Sequence, residues 1–188
     1  MRPVTLRTMR LELSVPLDAD VDAIVEACQD AAIQRYTTVP TPYARHHAEE
    51  FVERVAKNWA DDVEQTWAIR DGEVLAGMIG LYRQGAGAAE LGYWMAPASR
   101  ERGFGTEAGR AVVDWAFSPA GLALHRIEWR AVVGNTASAR IARSLGFRYE
   151  GTLREALRNG AGDRDDGWIA GLLATDDRTP QPWTVLGS

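Results

Sequence analysis

The chain has 188 residues and is acidic, with 25% charged residues and a formal net charge of −5 at pH 7. Its length is typical of one domain with a large core, and a negative chain lacks the excess of arginine and lysine on which non-specific nucleic-acid binding depends. No stretch reaches the roughly 20 apolar residues of a membrane span, and the first residues lack the apolar run of a signal peptide. We therefore expect a cytoplasmic protein with no nucleic-acid partner and no membrane partner.

The N-terminal quarter predicts a strand followed by a helix. Residues 6–15 alternate apolar and polar side chains, as in a half-buried strand. Asp18 or Asp20 can then cap a helix that runs through Cys28 and, in a longer form, to Tyr36. The single cysteine, Cys28, falls at an apolar position of this helix, which predicts a core residue without a catalytic role.

The rest of the chain alternates further helices and strands. The pattern predicts a helix over 44–60, a β-hairpin of 66–70 and 74–82 around Asp71-Gly72, a strand over 89–95, a helix from a glycine-rich loop to about 117, a strand over 127–133, a helix over 136–145, and strands over 147–154 and 166–174. This order favours an α/β (α+β) domain with a central mixed sheet and helices on both faces.

The glycine-rich loop lies between the strand over 89–95 and the helix that follows it. Its sequence from residue 95 to 108 is Met-Ala-Pro-Ala-Ser-Arg-Glu-Arg-Gly-Phe-Gly-Thr-Glu-Ala. Gly103 and Gly105 leave room for a ligand to approach the backbone, and the free N–H groups of a first helical turn attract anions. The loop therefore predicts a phosphate site; the alternative is an ordinary strand-to-helix connection in which the glycines serve packing.

Two familiar phosphate loops do not match this spacing. A P-loop needs Lys-Ser/Thr after its second glycine, and a dinucleotide fingerprint needs a third glycine where this chain has Ala108. The spacing of Arg100, Gly103 and Gly105 after Pro97 instead resembles the acyl-CoA pyrophosphate loop of the GNAT N-acetyltransferases.

Further ordered motifs resemble the RimJ/RimL-like branch of that family. They are Glu90-Leu-Gly-Tyr-Trp94 before the loop, Asn135 to Ser138 after the next strand, Leu145-Gly-Phe147, Glu150-Gly151, and the aspartate-rich segment from Asp163 to Trp168. The resemblance extends from Met9 to about Ala174. It implies a GNAT fold with a partly splayed sheet of about seven strands, in a single domain over 1–188 with a core of about 9–174 and a tail over 175–188.

The resemblance also implies acetyl-CoA as the co-substrate, with no metal. Its cofactor-binding residues are expected in the glycine loop and at the start of the helix after strand 127–133: Met95 through its main chain, Arg100, Arg102, Gly103, Phe104, Gly105, Thr106, Asn135, Ser138 and Arg143. Arg140 is less favoured than Arg143. Asn135 is also a good N-cap by residue type, and Ser138 and the arginines could simply be solvated.

The implied chemistry is direct acetyl transfer to an amine. Glu90 is the candidate base, and Ser138 can donate a hydrogen bond to the leaving sulfur. Glu90 can equally be read as a solvent-facing strand residue. Three scattered histidines support neither a nucleophile with a base nor a metal site.

One expected residue is missing. Many family members carry a tyrosine general acid at the position of Ala142. Some RimJ/RimL-like enzymes use the serine together with a glutamate before the final turn, and Glu155, the nearest glutamate here, does not align cleanly. Tyr93 and Tyr149 are the fallback acids. The missing tyrosine keeps open the alternative of a non-catalytic acyl-CoA-binding sensor.

The acceptor is the least determined part of the interpretation. The RimJ/RimL resemblance implies a protein or peptide N-terminal α-amine, and the alternative is a small amine such as a polyamine, an amino acid or an aminoglycoside. Three aspartates, Asp163, Asp165 and Asp166, could attract a cationic amine or form a solvated turn. Trp94, Trp168 and Trp183 could line an aromatic pocket. A homodimer is left open.

Overall fold

The computed structural model describes residues 1–187 and contains one eight-stranded sheet. The strands are β1 (Leu6–Arg7), β2 (Glu12–Ser14), β3 (Glu64–Asp71), β4 (Val74–Gly85), β5 (Ala88–Met95), β6 (Arg126–Val132), β7 (Arg148–Arg158) and β8 (Arg164–Leu173). Their order across the sheet is β1-β2-β3-β4-β5-β6-β8-β7.

The described residues form five α-helices, together with short 3₁₀ turns. The helices are α1 (Val21–Ala27), α2 (Ala31–Tyr36), α3 (Arg45–Asp61), α4 (Phe104–Phe117) and α5 (Thr136–Ser144). Over residues 1–187, none of these helices is long and apolar enough to cross a membrane.

The sheet splays open between its two central strands. All the pairings are antiparallel except that of β5 with β6, whose registered pairs end at Glu90 and Glu128. Beyond that point β5 continues to Met95 and β6 to Val132. The two strands therefore diverge and leave a V-shaped gap whose apex is at Glu90, as the resemblance implied.

Helices cover both faces of the sheet. On one face α4 and α5 pack in a large apolar cluster with strand residues such as Trp67, Ile79 and Leu91. On the opposite face α1 and the first half of α3 pack with Ala68 and Met78 in a second cluster, whereas Val55 and Trp59 further along α3 belong to the first. The two sets alternate along β3 from Trp67 to Ile69, because successive side chains of a strand point to opposite faces. The mixed fold with helices on both faces is confirmed.

The predicted first strand is wrong in one respect, since it is two short strands joined by a turn. The Thr8 hydroxyl oxygen accepts hydrogen bonds from the backbone N–H groups of Arg10 and Leu11, which reverses the chain. Leu6 then pairs with Leu13. This hairpin raises the expected count of about seven strands to eight.

The longer form of the first helix is also wrong. The chain leaves the helix at Cys28, and Asp30 caps a new helix, α2, by accepting from the N–H groups of Ala32 and Ile33. Cys28 itself is 1% exposed within the second apolar cluster, which confirms its prediction as a core residue.

The C-terminal tail lacks a regular pattern in sequence, yet it contributes to the core. Trp183 is 1% exposed and donates from Nε1 to the Phe147 carbonyl at 3.1 Å. Its ring centroid lies 5.5 Å from that of Trp129. The tail therefore covers the α5 side of the sheet.

Candidate active site

Two cavities meet at the splayed strands. The first, of 490 Å³, is lined by Glu90 and by side chains of β3, β4, β6 and α3, and we name it the carboxylate cavity. The second, of 470 Å³, is lined by the loop before α4 together with α2 and α5, and we name it the glycine-loop cavity. Six residues line both cavities: Tyr36, Thr37, Tyr93, Trp94, Asn135 and Ser138.

The glycine-loop cavity presents the uncapped start of a helix. Gly103 is the N-cap residue of α4 and has a φ of +78°, in the left-handed region that glycine adopts without strain. A glycine has no side chain to cap the helix, so Gly103 offers no side-chain acceptor to the N–H groups of Phe104, Gly105 and Thr106. All four residues line the cavity. This arrangement fits the phosphate site predicted from the sequence.

Gly105 has a second reason to be glycine. A Cβ built on it would lie 2.8 Å from Cδ1 of Ile141 on α5 and 3.6 Å from Sδ of Met95. The side chain of Ile141 on α5 therefore occupies the space beside Gly105, so this glycine also permits the close packing of α4 against α5.

Arg100 lines the glycine-loop cavity with its guanidinium already engaged. Its Nη2 donates to Asp30 at 2.5 Å and its Nε donates to the Met95 carbonyl at 3.2 Å. The hydrogen bond and the charge of Arg100 lower the pKa of Asp30 despite the opposing effect of burial. Arg100 therefore ties the start of α2 to the end of β5, next to the main-chain group expected to bind the co-substrate.

Arg102 and Arg143, also predicted to bind the cofactor, lie outside the linings of both cavities over residues 1–187. Arg102 pairs with Asp71 at 2.9 Å, and its guanidinium carbon stands 4.3 Å from the centre of the Phe104 ring. On α5, Arg140 lines the glycine-loop cavity and Arg143 does not. The geometry thus favours Arg140 over Arg143 for cofactor charge, the reverse of the order expected from the sequence.

Asn135 and Ser138 lie where the cavities meet. The Asn135 side chain accepts from the Ser138 backbone N–H at 3.2 Å, so it is the N-cap of α5 and also lines both cavities. The hydroxyl oxygen of Ser138 accepts from Nε1 of Trp129 at 3.0 Å. Trp129 is a contact that the sequence reasoning missed, because only the tertiary fold brings β6 against α5.

Tyr93 spans the gap between β5 and α5. Its hydroxyl donates to the Ser138 backbone carbonyl at 2.9 Å, and burial raises the pKa of Tyr93 above the usual range for tyrosine. Ala142 is fully buried nearby. Tyr149 bonds to Thr152 and lies outside both linings over residues 1–187. Of the two fallback acids, only Tyr93 is placed at the site, and its raised pKa makes it a weak acid.

Glu90 stands at the apex of the gap and lines the carboxylate cavity. Gln84 donates to its Oε2 at 3.3 Å, and Nε of Arg130 lies 3.8 Å from the same oxygen. Burial raises the pKa of Glu90 above its ordinary value, Arg130 opposes this rise, and Glu128 adds to it. A carboxylate with a raised pKa is a stronger proton acceptor than an exposed glutamate.

The floor of the carboxylate cavity is built from small residues and one tyrosine. Glu64, Tyr82 and Glu90 form one row across β3, β4 and β5, and Gly80 pairs with Gly92 in the neighbouring row. A Cβ on Gly92 would lie 2.8 Å from Cε2 of Tyr82, so the tyrosine ring covers this glycine. The ring occupies space that any larger residue at position 92 would take.

Several other candidates have structural roles. Asp165 forms a two-bond ion pair with Arg35 at 2.7 and 2.9 Å, Asp166 accepts from the Glu155 N–H at 2.8 Å, and Asp163 bonds within its own turn. The cluster thus holds the β7–β8 hairpin. Trp168 and Trp183 are buried in the core, so Trp94 alone of the three candidate tryptophans lines the cavities formed by residues 1–187. Within those residues no group of three His, Cys, Asp or Glu side chains is placed to hold a metal ion.

Comparison with known proteins identifies the family. Residues 10–148 match the model of the acetyltransferase (GNAT) domain. The chain is 31% identical over 156 residues to the uncharacterized N-acetyltransferase YoaA of Bacillus subtilis (strain 168), covering 81% of this chain and 87% of the relative.

Solved structures share the fold. RimJ of Mycobacterium smegmatis, in complex with CoA-disulfide, superposes with a TM-score of 0.82 at 21% identity, covering 96% of this chain and 93% of that one. RimL, a ribosomal L7/L12 α-N-protein acetyltransferase, superposes with a TM-score of 0.80 at 19% identity, covering 92% and 96%. Together with the splayed sheet and the uncapped glycine loop, the family match leads to one conclusion: this chain belongs to the GNAT acetyltransferase family.

Proposed function

We propose that this protein transfers an acetyl group from acetyl-CoA directly to the α-amine of a protein or peptide N-terminus. The observation that carries the proposal is the meeting of the two cavities at Tyr93, Trp94, Asn135 and Ser138. One cavity offers helical N–H groups without a cap from the N-cap residue, which suit a pyrophosphate, and the other offers a half-buried carboxylate that suits a proton transfer. A thioester and an amine can therefore be brought together at their junction.

Direct transfer is favoured because the site lacks an activated nucleophile within residues 1–187. Burial raises the pKa of the Cys28 thiol to about 11, and its side chain is 1% exposed. The side-chain partner of the Ser138 hydroxyl is the Trp129 indole, which can donate a proton in a hydrogen bond but cannot remove one. Neither side chain has the paired base that a covalent mechanism needs.

The residues then have distinct roles. The first turn of α4 binds the pyrophosphate, Glu90 accepts the proton released by the attacking amine, and Ser138 donates toward the leaving sulfur. Acetyl-CoA supplies the thioester that is cleaved. The leaving thiol has a pKa near ~8.5 by analogy with cysteine, so a hydrogen bond to the sulfur is sufficient to assist its departure. An alanine at position 142, in place of the tyrosine acid, therefore does not prevent the reaction.

The strength of the base supports an α-amine as acceptor. An α-amino group has a pKa near ~8 and is partly neutral at cellular pH, whereas a lysine near ~10.4 would cost roughly 4 to 5 kcal/mol to deprotonate at pH 7. One half-buried carboxylate is a modest base, so it suits the easier acceptor. The structural neighbour RimL is named for α-N-protein acetylation, which agrees with this choice.

A thiol-release assay with acetyl-CoA tests the proposal. The acceptors are peptides with a free α-amine and no lysine, the same peptides with a blocked N-terminus and one added lysine, a polyamine and an aminoglycoside. We expect turnover with the first set only, and mass spectrometry should place the acetyl group on the α-amine.

Other outcomes would contradict the proposal in distinguishable ways. Turnover with the polyamine or the aminoglycoside alone would assign a small-molecule amine as the acceptor. Tight CoA binding without turnover on any amine would favour an acyl-CoA-binding sensor.

A further inference from the structure

Arg130 lies on β6 just beyond the point where β5 and β6 separate. Glu90 and Glu128 are the last registered pair, so their side chains share one face of the sheet, and Arg130 shares it because it is two residues further along β6. Arg130 lines the carboxylate cavity beside Glu90. The arginine is thus the first charged side chain of β6 inside the gap.

The guanidinium of Arg130 is held at one end and unsatisfied at the other. Nη2 donates to Glu128 at 2.9 Å. Nε is buried without a hydrogen-bond partner in residues 1–187, and it lies 3.8 Å from Oε2 of Glu90. A buried N–H group without an acceptor is unfavourable, so a small movement of the Glu90 carboxylate toward Nε would be stabilising.

The anchor of Arg130 is itself held by a chain of alternating charges. Glu128 also pairs with Arg126 at 3.2 Å, and Arg126 bonds to both carboxylate oxygens of Glu150 on β7 at 2.9 and 2.6 Å. The charges thus alternate from Glu90 to Glu150 across three elements of the sheet. Such a chain limits the freedom of the Arg130 guanidinium and keeps it next to Glu90.

Other charged or titratable groups face the same cavity. They are His47, Glu50 and Arg54 from α3, Glu64 from β3, and Arg158 from β7, with the phenols of Tyr36, Tyr43, Tyr82 and Tyr93. Arg130 is the cation that contacts Glu90 as an ion pair, and it opposes the rise in the Glu90 pKa to which burial and the negative charge of Glu128 contribute. The contact with Arg130 therefore offsets nearby negative charge.

We propose that Arg130 is a positioning residue that keeps Glu90 ionised and oriented to accept the proton of the acceptor amine. The inference rests on the proposed function, in which Glu90 is the base. Glu90 must be a carboxylate when the amine binds. A guanidinium fixed beside it favours the ionised state and does not itself accept the proton. The proton passes from the ammonium nitrogen to the Glu90 carboxylate and from there to water.

The test compares Arg130→Gln with Arg130→Lys, which keeps the charge. Arg148→Gln is the matched control, because Arg148 pairs with Asp176 at 3.1 Å and lies outside both cavity linings over residues 1–187. The charge of Glu90 is followed by a ¹³C NMR titration of its carboxyl resonance, assigned with Glu90→Gln. The pH profile of kcat is measured on the same proteins.

In Arg130→Gln we expect the midpoint of the Glu90 carboxyl titration to move to higher pH. The acid limb of the pH profile, where kcat falls as the pH is lowered, should move with it. At about pH 6.5 kcat should fall ~10-fold, and at about pH 9 it should stay within ~2-fold of wild type. Arg130→Lys should restore part of the shift, and Arg148→Gln should match wild type. CoA affinity should be unchanged in all three.

An unmoved Glu90 midpoint in folded Arg130→Gln overturns the inference, and so does a moved midpoint with an unmoved acid limb. Failure of the proposed function has a different signature, which is a wild-type protein that transfers no acetyl group. The NMR titration needs no substrate, so even then it decides whether Arg130 controls the charge of Glu90.

Discussion

The indole N–H of Trp129 donates to the hydroxyl oxygen of Ser138 at 3.0 Å. An indole nitrogen can only donate, so Ser138 is left with its own hydrogen to give. Ser138 lines both cavities, and the direction of its hydroxyl is therefore set by a residue of the core. This orientation suits a hydrogen bond to a sulfur atom that gains negative charge.

Ser138→Ala should slow transfer and weaken acetyl-CoA binding, because the hydroxyl is proposed to contact both. Trp129→Phe removes the orienting donor and keeps an aromatic ring, so it should lower kcat ~5- to 10-fold, as expected for one hydrogen bond of about 1 kcal/mol. Steady-state kinetics with a fixed peptide measure both effects. Equal kcat in wild type and folded Trp129→Phe would show that the orientation of Ser138 is unimportant.

Glu90→Gln should lower turnover by ~10²-fold while CoA affinity stays nearly intact. Burial raises the pKa of Glu90, so lowering the pH toward that value protonates the base and reduces the wild-type rate. The glutamine variant should lack this acid limb, and raising the pH should recover part of its loss because more of the acceptor amine is neutral. Wild-type rates across the pH range would return Glu90 to an ordinary strand residue.

Gly103→Val should weaken CoA binding, and the loss of affinity should exceed that of a glycine substitution with the same effect on stability. Gly85→Val is a matched control, because Gly85 has a φ of +76° against +78° at Gly103 and lies outside both cavity linings in residues 1–187. Each substitution should cost about 1 to 2 kcal/mol of unfolding free energy for the left-handed backbone. Calorimetric titration with CoA should show a loss only at Gly103, and an equal affinity in both variants would remove the phosphate assignment.

Arg100→Ala should weaken CoA by roughly 1 to 3 kcal/mol through loss of charge-assisted contacts. In the structure Arg100 also holds the Met95 carbonyl and Asp30, so Arg100→Lys should recover only part of the affinity, since an ammonium cannot keep both bonds in the same geometry. Arg7→Ala, which breaks an exposed ion pair with Glu12, is the control and should bind CoA as wild type does. Full recovery with lysine would indicate that charge alone matters.

Asp20→Asn should destabilise the fold by about 3 kcal/mol, because it leaves Arg70 without its carboxylate partner. Asp20 is 6% exposed and bonds to Arg70 at 2.6 and 2.7 Å. Burial alone would raise the pKa of Asp20, but the bonds from Arg70 and from the Leu17 N–H outweigh it and lower the pKa. The stabilisation is therefore present above the unfolded pKa of ~3.9 and is lost as the pH falls through the lower folded value.

Urea unfolding near pH 7 and near pH 3 checks this prediction. The difference in unfolding free energy between wild type and Asp20→Asn should shrink at the lower pH. A difference that does not depend on pH would indicate that the substitution acts through packing rather than through charge.

Local sequence signals were sufficient for most of the elements. The hairpin around Gly72, the glycine loop before α4 and the cap at Asn135 depend on neighbouring residues, so they could be predicted from spacing and residue type. The split of the first strand at Thr8 and the break of the first helix at Asp30 were missed. Both depend on side-chain bonds to the backbone that compete with the regular pattern.

The sequence by itself determined the family, the order of the elements, the glycine loop and Glu90 as candidate base. Only the tertiary structure decided which side chains surround that base. Arg130 and Tyr82 lie 40 and 8 residues from Glu90 in the numbering, and their contacts depend on strand register and on the divergence of β5 from β6. Periodicity indicates which face of a strand is buried, but long-range pairing determines what that face meets.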